Sequence, residues 1–221
     1  MKVSLISYPS MDADTLAGLA AALCYDGKNP DRSLDTALSG GHQSVVEHAN
    51  FTFVIEGVSR ALLAQLTRHR IASFSVQSQR YVSMADKFEY VTPPRIKALG
   101  KLQEYEYRRQ MEQIHQWYCY WQTALLDAGH KKESANEDAR FVLPNAAATR
   151  LMMTMNAREL DHFFGLRLCN CAQWEIREMA GLMLEEVKVI APKLFEKSAP
   201  PCAHGACPEG KRSCGKPWGG W

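Results

Sequence analysis

Alternation of apolar and polar residues predicts three strands in this chain. Residues 2–8 alternate and contain β-branched side chains. Residues 50–56 alternate more regularly, and Gly57 is predicted to end this strand. Residues 145–155 alternate weakly and are rich in methionine, which packs adaptably. The face of the second strand that we expect to be buried consists of Phe51, Phe53 and Ile55.

Apolar residues spaced three and four apart predict helices between these strands. Leu62, Leu63 and Leu66 form such a stripe after Ser59, which can cap the helix. Residues 95–128 carry a long aromatic stripe, which we interpret as one or two helices packed on the core or on another subunit. Further helices are predicted over residues 12–25, 33–38, 134–140, 157–167 and 171–190. Expected caps are Asp12 or Asp14, Asn156, and the capping boxes Ser44 with Glu47 and Ser134 with Glu137.

Composition indicates an ordinary globular protein, with 46% hydrophobic and 23% charged residues. The net charge of +2 does not indicate a general polyanion binder, so any affinity for phosphate must come from local clusters. The first residues form too short an apolar run for a signal peptide, and no stretch approaches the length of a membrane span. We therefore predict a cytoplasmic protein. Its organisation is predicted as one domain over residues 1–198 and a Cys-, Gly- and Pro-rich tail over residues 199–221.

Seven cysteines, an odd number, do not form the pattern of a disulfide framework. Three of them lie in the tail near His204 and could hold zinc or iron, but their spacing matches none of the common finger patterns. We favour a loosely ordered tail and predict no metal site. The other cysteines are interpreted as packing residues: Cys24, Cys119, Cys169 and Cys171.

A basic run, Arg68-His69-Arg70, is followed by a hydroxyl- and amide-rich segment without carboxylates that leads to Arg80. Like charges at this spacing destabilise one another unless an anion is bound or the run is fully solvated. Apolar residues on both sides argue against full solvation. The run therefore favours an anion site, and the alternative is a solvated helix end.

Residues 42–48 place two histidines, a hydroxyl and a carboxylate close together. His42 and His48 are six residues apart, which does not suit a metal site on one helical face. We interpret the segment as a polar hydrogen-bonding platform.

The predicted helix over residues 157–167 carries two arginines on opposite faces. Arg158 and His162 share one face, and Arg167 lies nine residues beyond Arg158, about half a turn away at about 100° per residue. This helix is therefore predicted to serve two separate surroundings.

Together these segments resemble the flavin-dependent thymidylate synthases. The resemblance is carried in order by residues 42–48 (HQSVVEH), 68–70 (RHR), 78–80 (SQR), 156–167 (NARELDHFFGLR) and 172–177 (AQWEIR). It spans most of the chain and leaves out the tail.

The resemblance implies an α/β (α+β) fold, with a mixed or antiparallel sheet flanked by long helices. It implies reductive methylation of dUMP to dTMP, with FAD as hydride carrier, 5,10-methylenetetrahydrofolate as carbon donor and NADPH as reductant. It also implies a homotetramer whose sites are built from several subunits, without a cysteine nucleophile, nucleic acid or membrane partner.

The same resemblance assigns residues to each ligand. Arg167 matches the arginine that polarises the uracil ring, and His42 and His69 are candidates for positioning flavin and folate. Ser78 is assigned to binding, because no histidine at a fixed spacing is evident to activate it as a nucleophile. The FAD contacts are Ser44, Arg68, His69, Arg70, Asn156, Arg158 and His162. The dUMP contacts are Gln65, Arg68, Ser78, Gln79, Arg80, Arg140 and Arg167.

A second hypothesis is a non-catalytic nucleotide- or RNA-binding module that uses the basic run and the aromatic helix. The near-neutral net charge and the absence of a basic stripe weigh against it.

Overall fold

The computed structural model describes residues 1–220, in which strands and helices are interspersed along the sequence. The strands are β1 (Lys2–Ser7), β2 (Asn50–Ser59), β3 (Ser73–Val76) and β4 (Ala148–Asn156). The helices are α1 (Ala13–Tyr25), α2 (Pro30–Ser39), α3 (Arg60–Leu66), α4 (Pro94–Ala98), α5 (Lys101–Asp127), α6 (Lys132–Ala139), α7 (Ala157–Arg167) and α8 (Trp174–Ile190). Short 3-10 helices cover Gln43–His48, Arg140–Val142, Pro201–Ala203 and Gly210–Arg212.

Within residues 1–220 the strands form one antiparallel sheet in the order β1-β2-β4-β3. The hydroxyls of Thr52 on β2 and Thr154 on β4 lie 2.9 Å apart and link these two strands. The predicted α/β (α+β) fold with an antiparallel sheet and long helices is confirmed. In the described part of the chain, no helix combines the length and apolarity needed to cross a membrane.

The chain divides into two compact units. The first comprises Met1–Ile55, Gln65–Ser75 and the described part of Met152–Trp221. The second comprises Glu56–Ala64 and Val76–Leu151. The predicted boundary between a domain over residues 1–198 and the tail stays a prediction.

Aromatic side chains fill the core of the first unit. Phe51, Phe53 and Ile55 are fully buried, as their alternation on β2 predicts. The Phe195 ring packs edge-on against Phe51 at 5.5 Å and against Phe164 at 5.9 Å between centroids. Burying each such side chain stabilises the fold by about 1.5–3 kcal/mol, so this cluster holds β2 and α7 in place.

A polar group lies at the centre of the second unit, where α5 packs on α6. Tyr118 on α5 is fully buried, and its hydroxyl accepts a hydrogen bond from the Met84 N–H at 3.2 Å. The aromatic stripe of α5 is therefore part of the core at this position. Two other members of the stripe, Trp117 and Trp121, and the neighbouring Tyr120 are at least half exposed, and contact of the stripe with another subunit stays a prediction.

Three predicted caps are confirmed because their side chains accept hydrogen bonds from the first helical turn. Asp12 accepts from the Thr15 N–H at 2.7 Å, and Ser59 accepts from the Leu62 N–H at 3.0 Å. Asn156 accepts from the Glu159 N–H at 2.9 Å. The start of α7 is thus fixed directly after β4.

Both predicted capping boxes are wrong. The segment that begins with His42 forms a 3-10 helix without a side-chain cap. Helix α6 begins after Lys131, also without a side-chain cap. A box needs the hydroxyl at the N-cap position, and Ser44 and Ser134 both lie inside their helices instead.

The prediction that β2 ends at Gly57 is also wrong, because the strand continues to Ser59. Gly57 has a φ of 69°, a conformation that glycine adopts without the steric cost that a Cβ would bring. The strand therefore passes through this glycine without ending, and β2 leads directly into α3.

Candidate functional site

The basic run follows the end of α3 and is neither uniformly exposed nor uniformly buried. Arg68 and Arg70 are exposed, whereas His69 between them has 6% of its surface exposed. The His69 N–H donates to the Leu66 carbonyl at 3.1 Å, which continues the last turn of the helix. A fully solvated helix end does not fit the burial of His69, so the middle of the run is part of the fold.

A chain of hydrogen bonds joins His69 to two side chains of α7. His69 Nδ1 lies 3.0 Å from Glu159 Oε1, and Glu159 is also buried, with 8% exposed. On the other side of the ring, Arg167 Nε donates to His69 Nε2 at 3.1 Å. Arg167 Nη2 also donates to the Gln65 carbonyl at 3.5 Å. The Arg167 guanidinium is thereby held from two directions.

The surroundings of His69 and Arg167 determine their protonation states. Burial lowers the pKa of His69, the hydrogen bond to Glu159 opposes that shift, and the nearby Arg167 and His162 add to it. Burial, followed by the nearby Arg68, lowers the pKa of Arg167 from a very high ordinary value, so the guanidinium stays charged. At neutral pH the arrangement is a neutral imidazole between a carboxylate and a guanidinium.

Arg158 and Arg167 contact different partners, as their positions on opposite faces of α7 predict. Arg158 Nη1 lies 2.5 Å from Glu47 Oε1, in the 3-10 helix Gln43–His48. About half of each of these side chains is exposed. An exposed ion pair contributes little to stability, so another anion can compete with Glu47 for Arg158. This pairing fits the predicted polar platform.

A separate group of polar contacts surrounds Arg80 in the second unit. Arg80 Nε lies 3.0 Å from Glu137 Oε2, and both side chains are partly exposed. The Arg80 carbonyl accepts a hydrogen bond from Asn136 at 2.7 Å, and the Arg80 N–H donates to Ser78 Oγ at 3.2 Å. Gln79 between them is buried. The backbone of residues 78–80 is thus fixed, while the guanidinium of Arg80 stays accessible.

Two further arginines lie near each other in the same unit. Arg140 Nε donates to the Glu137 carbonyl at 3.1 Å. Burial, followed by the charge of Arg140, lowers the pKa of Arg60 at the start of α3. Two neighbouring guanidinium groups repel each other and favour a bound anion.

The tail, predicted to be loosely ordered, contains two 3-10 helices and makes defined contacts in the first unit. The Asn170 side chain donates to the Lys216 carbonyl at 3.2 Å, and His204 Nε2 lies 2.8 Å from the Lys197 carbonyl. The tail also lines a cavity of about 560 Å³ together with His162 and Arg167. One wall of the space beside Arg167 is therefore built by residues outside the resemblance.

A smaller cavity of about 250 Å³ is lined by five cysteines: Cys169, Cys171, Cys202, Cys207 and Cys214. These are free thiols in the structure. Among residues 1–220, no three His, Cys, Asp or Glu side chains are arranged to hold a metal ion. The expectation that the tail binds no metal stays a prediction.

The structure divides the predicted site residues between the two units. Within the first unit it joins Gln65, His69 and Arg167 through the contacts described above. The other predicted residues of this unit are Ser44, Arg68, Arg70, Asn156, Arg158 and His162. The second unit holds Ser78, Gln79, Arg80 and Arg140.

Sequence reasoning missed the roles of three charged side chains. Glu159 lies three residues after the cap Asn156, a spacing typical of a capping box, yet its carboxylate contacts His69. Glu137 was likewise assigned to a capping box and instead pairs with Arg80. Arg60 carried no sequence signal beyond its place between a strand and a helix.

Residues 4–193 match the model of a protein family described as "Thymidylate synthase complementing protein". This match spans parts of both units and includes all the predicted site residues but not the tail, and it gives the class of the protein.

Individual relatives define the family more closely. The flavin-dependent thymidylate synthase of Geobacter sulfurreducens is 48% identical over 230 residues, covering 98% of this chain and 94% of the relative. That of Clostridium tetani is 42% identical over 236 residues, with the same coverage of 98% and 94%. That of Sulfolobus acidocaldarius is 40% identical over 215 residues, covering 91% of this chain and 78% of the relative. The chain belongs to the flavin-dependent thymidylate synthase family.

Proposed function

We propose that this protein is an FAD-dependent thymidylate synthase that converts dUMP to dTMP by reductive methylation. In this proposal 5,10-methylenetetrahydrofolate donates the carbon, NADPH is the reductant, and the protein is a methyltransferase. The family membership supports an enzyme over a non-catalytic binding module. The predicted cytoplasmic location remains part of the proposal.

The observation that carries this proposal is the fixed guanidinium of Arg167. It is oriented by His69 and by the Gln65 carbonyl, so its position does not depend on a flexible side chain alone. A guanidinium held beside a uracil ring would stabilise negative charge that develops on the ring oxygens. Carbon 5 of the uracil would then become more nucleophilic without an enzyme nucleophile.

The residues proposed to hold FAD fit an anionic diphosphate. Arg68 and Arg70 are exposed cations on either side of a buried residue, and Arg158 has an exposed partner that a phosphate can replace. FAD, when bound, would supply the hydride transfer chemistry. The buried ring of His69 contacts Glu159 and Arg167, so we assign it to positioning. The proposed FAD contacts are Ser44, Arg68, His69, Arg70, Asn156, Arg158 and His162.

The nucleotide phosphate is proposed to bind at Arg80, whose accessible guanidinium pairs with a half-exposed carboxylate. Ser78 is proposed to bind dUMP rather than to act as a nucleophile, because its hydroxyl already accepts a hydrogen bond from the Arg80 N–H. Burial raises the pKa of the Cys119 thiol, which disfavours the thiolate that a nucleophile would need. The proposed dUMP contacts are Gln65, Arg68, Ser78, Gln79, Arg80, Arg140 and Arg167, contributed by several subunits of a homotetramer.

The proposal is tested by the absorbance spectrum of the purified protein, followed by turnover. We expect a yellow protein, or one that becomes yellow on addition of FAD. NADPH oxidation should be faster with dUMP present, and dTMP should form when methylenetetrahydrofolate is added. A protein that neither binds FAD nor forms dTMP would contradict the proposal.

Arg167→Ala should keep the flavin spectrum and lose dTMP formation by about 100-fold or more, because it removes charge stabilisation in the transition state. Arg109→Ala is a suitable control, since that arginine is exposed on α5 and pairs with Glu106. Product assays and flavin spectra of both variants provide the measurement. Near-normal turnover by Arg167→Ala would refute the assigned role.

A further inference from the structure

Glu159 is a buried carboxylate to which neither the sequence nor the family resemblance assigns a role toward a ligand. We propose that Glu159 is a positioning residue: it fixes the tautomer of His69, and His69 in turn fixes the guanidinium of Arg167. This inference rests on the proposed function for its kinetic consequence, whereas its structural part can be tested without any activity.

The direction of each hydrogen bond follows from the chemistry of the groups. The Nε–H of Arg167 can only donate, so His69 Nε2, at 3.1 Å, must accept and cannot carry a hydrogen. A neutral imidazole carries its hydrogen on the other nitrogen, Nδ1. Nδ1 lies 3.0 Å from Glu159 Oε1, and an ionised carboxylate can only accept. The three groups therefore fit in one arrangement, in which Arg167 donates to His69 and His69 donates to Glu159.

Burial makes this arrangement specific. His69 is 6% and Glu159 8% exposed, so water does not readily replace either partner. The His69 ring also packs edge-on against Phe163, with 5.0 Å between centroids. Moving the hydrogen from Nδ1 to Nε2 would place an N–H against the Arg167 N–H and a bare nitrogen against the carboxylate. Leaving such buried polar groups unsatisfied costs about 1–3 kcal/mol for each group.

Helix α7 carries both end residues of this hydrogen-bonded series, Glu159 and Arg167. Glu159 and Arg167 are eight residues apart on α7, about 12 Å along its axis at about 1.5 Å per residue. Glu159 lies in the first turn and Arg167 at the last residue, and His69 from the preceding segment bridges them. The position of the guanidinium is therefore set by the helix at both ends rather than by the Arg167 rotamer alone.

Protonation of His69 would remove the hydrogen bond from Arg167, because both ring nitrogens would then carry hydrogens and Nε2 could no longer accept. The titratable and charged groups that face the ring are Glu159, Arg167 and His162. Burial lowers the pKa of His69 and so keeps the ring neutral near pH 7. The neutral form is the one that the hydrogen-bond geometry requires.

The first measurement is nitrogen NMR of the histidine side chains in the full-length protein. We expect an unprotonated Nε2 and a protonated Nδ1 for His69, assigned by the loss of its signals in His69→Gln. His115 and His204 serve as internal references for the opposite tautomer, since their Nε2 atoms lie 2.8 Å from the carbonyl oxygens of Met84 and Lys197. A hydrogen on His69 Nε2 at neutral pH would overturn the proposal, whether or not the protein makes dTMP.

The second measurement compares Glu159→Leu with Glu159→Gln. Leucine cannot accept the Nδ1–H, so we expect the His69 signals of that variant to show mixed tautomers and kcat for dTMP to fall about 100-fold, with little change in KM for dUMP. Glutamine keeps an acceptor oxygen and should retain the tautomer and most of the turnover.

Glu175→Gln is the matched control, because it alters another buried first-turn carboxylate, on α8. We expect it to leave the His69 tautomer and kcat unchanged. Glu159→Leu with the wild-type tautomer and wild-type kcat would overturn the proposal. If Glu159→Leu does not fold, a Glu159→Gln variant with mixed tautomers would overturn it equally. Wild-type protein that shows the expected tautomer but forms no dTMP would contradict the proposed function alone.

Discussion

At the scale of single residues, the site combines buried and exposed side chains that lie next to each other. His69 is buried between two exposed arginines, and Arg167 is half-buried with its guanidinium held by the protein. Such a residue contributes to folding and to ligand contact at once. Its titration or replacement should therefore be visible in stability as well as in activity.

His69 should make the protein less stable in acid. Its pKa in the folded state lies below the ordinary value of about 6.5. Its stabilising contribution is therefore fully present above pH 6.5 and is lost as the pH falls below that value, because the unfolded state binds the proton first. The loss is at most about 1.4 kcal/mol for each pH unit. The test is urea unfolding of the wild type and His69→Gln between pH 8 and pH 5.

His130→Gln is the control for that titration, because it removes an exposed histidine of the other unit. We expect the His69→Gln variant to lose less stability on acidification than the wild type, and His130→Gln to behave like the wild type. Identical pH dependence of the wild type and His69→Gln would show that the buried ring does not titrate as described.

Arg80→Ala should weaken dUMP binding more than FAD binding. A charge-assisted hydrogen bond contributes about 1.5–3 kcal/mol, which corresponds to an increase in Kd of about 10-fold to 140-fold. Calorimetric titrations with dUMP and with FAD provide the comparison, and Arg109→Ala serves again as the exposed control. An unchanged Kd for dUMP would count against the phosphate role of Arg80.

At the scale of elements, α7 connects several residues of the site, and its first turn is fixed directly after β4. Asn156 caps it, Glu159 reaches His69 from the first turn, and Arg167 is its last residue. A small change at the cap should therefore affect residues along the helix.

Asn156→Ala should lower the free energy of unfolding by about 1 kcal/mol, the usual contribution of an N-cap. Asp12→Ala removes the equivalent cap of α1 and should cost about the same. FAD binding should weaken in Asn156→Ala alone. The measurements are denaturant unfolding and flavin titration, and equal loss of flavin in both variants would argue against a specific role of α7.

The elements themselves were predictable where the signal is local. The alternation of β2, the caps of α1 and α7, and the stripe of α3 are all read from neighbouring residues. Strand β3 was not predicted, because its alternation covers only four residues, two of them serines, within a segment typical of a hydroxyl-rich loop. The 3-10 helix at Gln43–His48 was likewise missed, since its polar residues fit a capping box equally well.

The partners within the site could not be predicted in the same way. His69 and Glu159 are 90 residues apart, so their contact depends on how α3 and α7 pack. Glu47 and Arg158 are 111 residues apart. The family motif identified the arginines and the histidine, but spacing alone gave no sign of the carboxylates that face them. Local patterns favoured capping for Glu47, Glu137 and Glu159, and the tertiary contacts overrode that assignment.

At the scale of the whole molecule, the homotetramer remains a prediction with a surface that suits it. Trp117, Tyr120 and Trp121 on α5 are at least half exposed. Large aromatic side chains are enriched in interfaces between subunits, so this face of α5 is the one we expect a neighbouring subunit to cover.

Sedimentation of the wild type should give the mass of four chains, each 24.9 kDa. Trp121→Asp should shift the assembly toward smaller species, because a charge in an apolar interface is costly. Tyr105→Asp is the control: Tyr105 is also exposed on α5 but lies about 160° away around the helix. A monomeric wild-type protein would refute the assembly, and equal effects of both variants would refute the choice of face.

The connection between Glu159, His69 and Arg167 also restricts how this enzyme can change over evolutionary time. The three residues come from two separate segments of the sequence, yet Arg167 is hydrogen-bonded to His69 and His69 to Glu159. A lineage that replaced one of them would leave buried polar groups unsatisfied, at about 1–3 kcal/mol each. We therefore expect these three positions to be inherited or exchanged as a set, whereas Glu47, whose ion pair with Arg158 is exposed, can be replaced at little cost in stability.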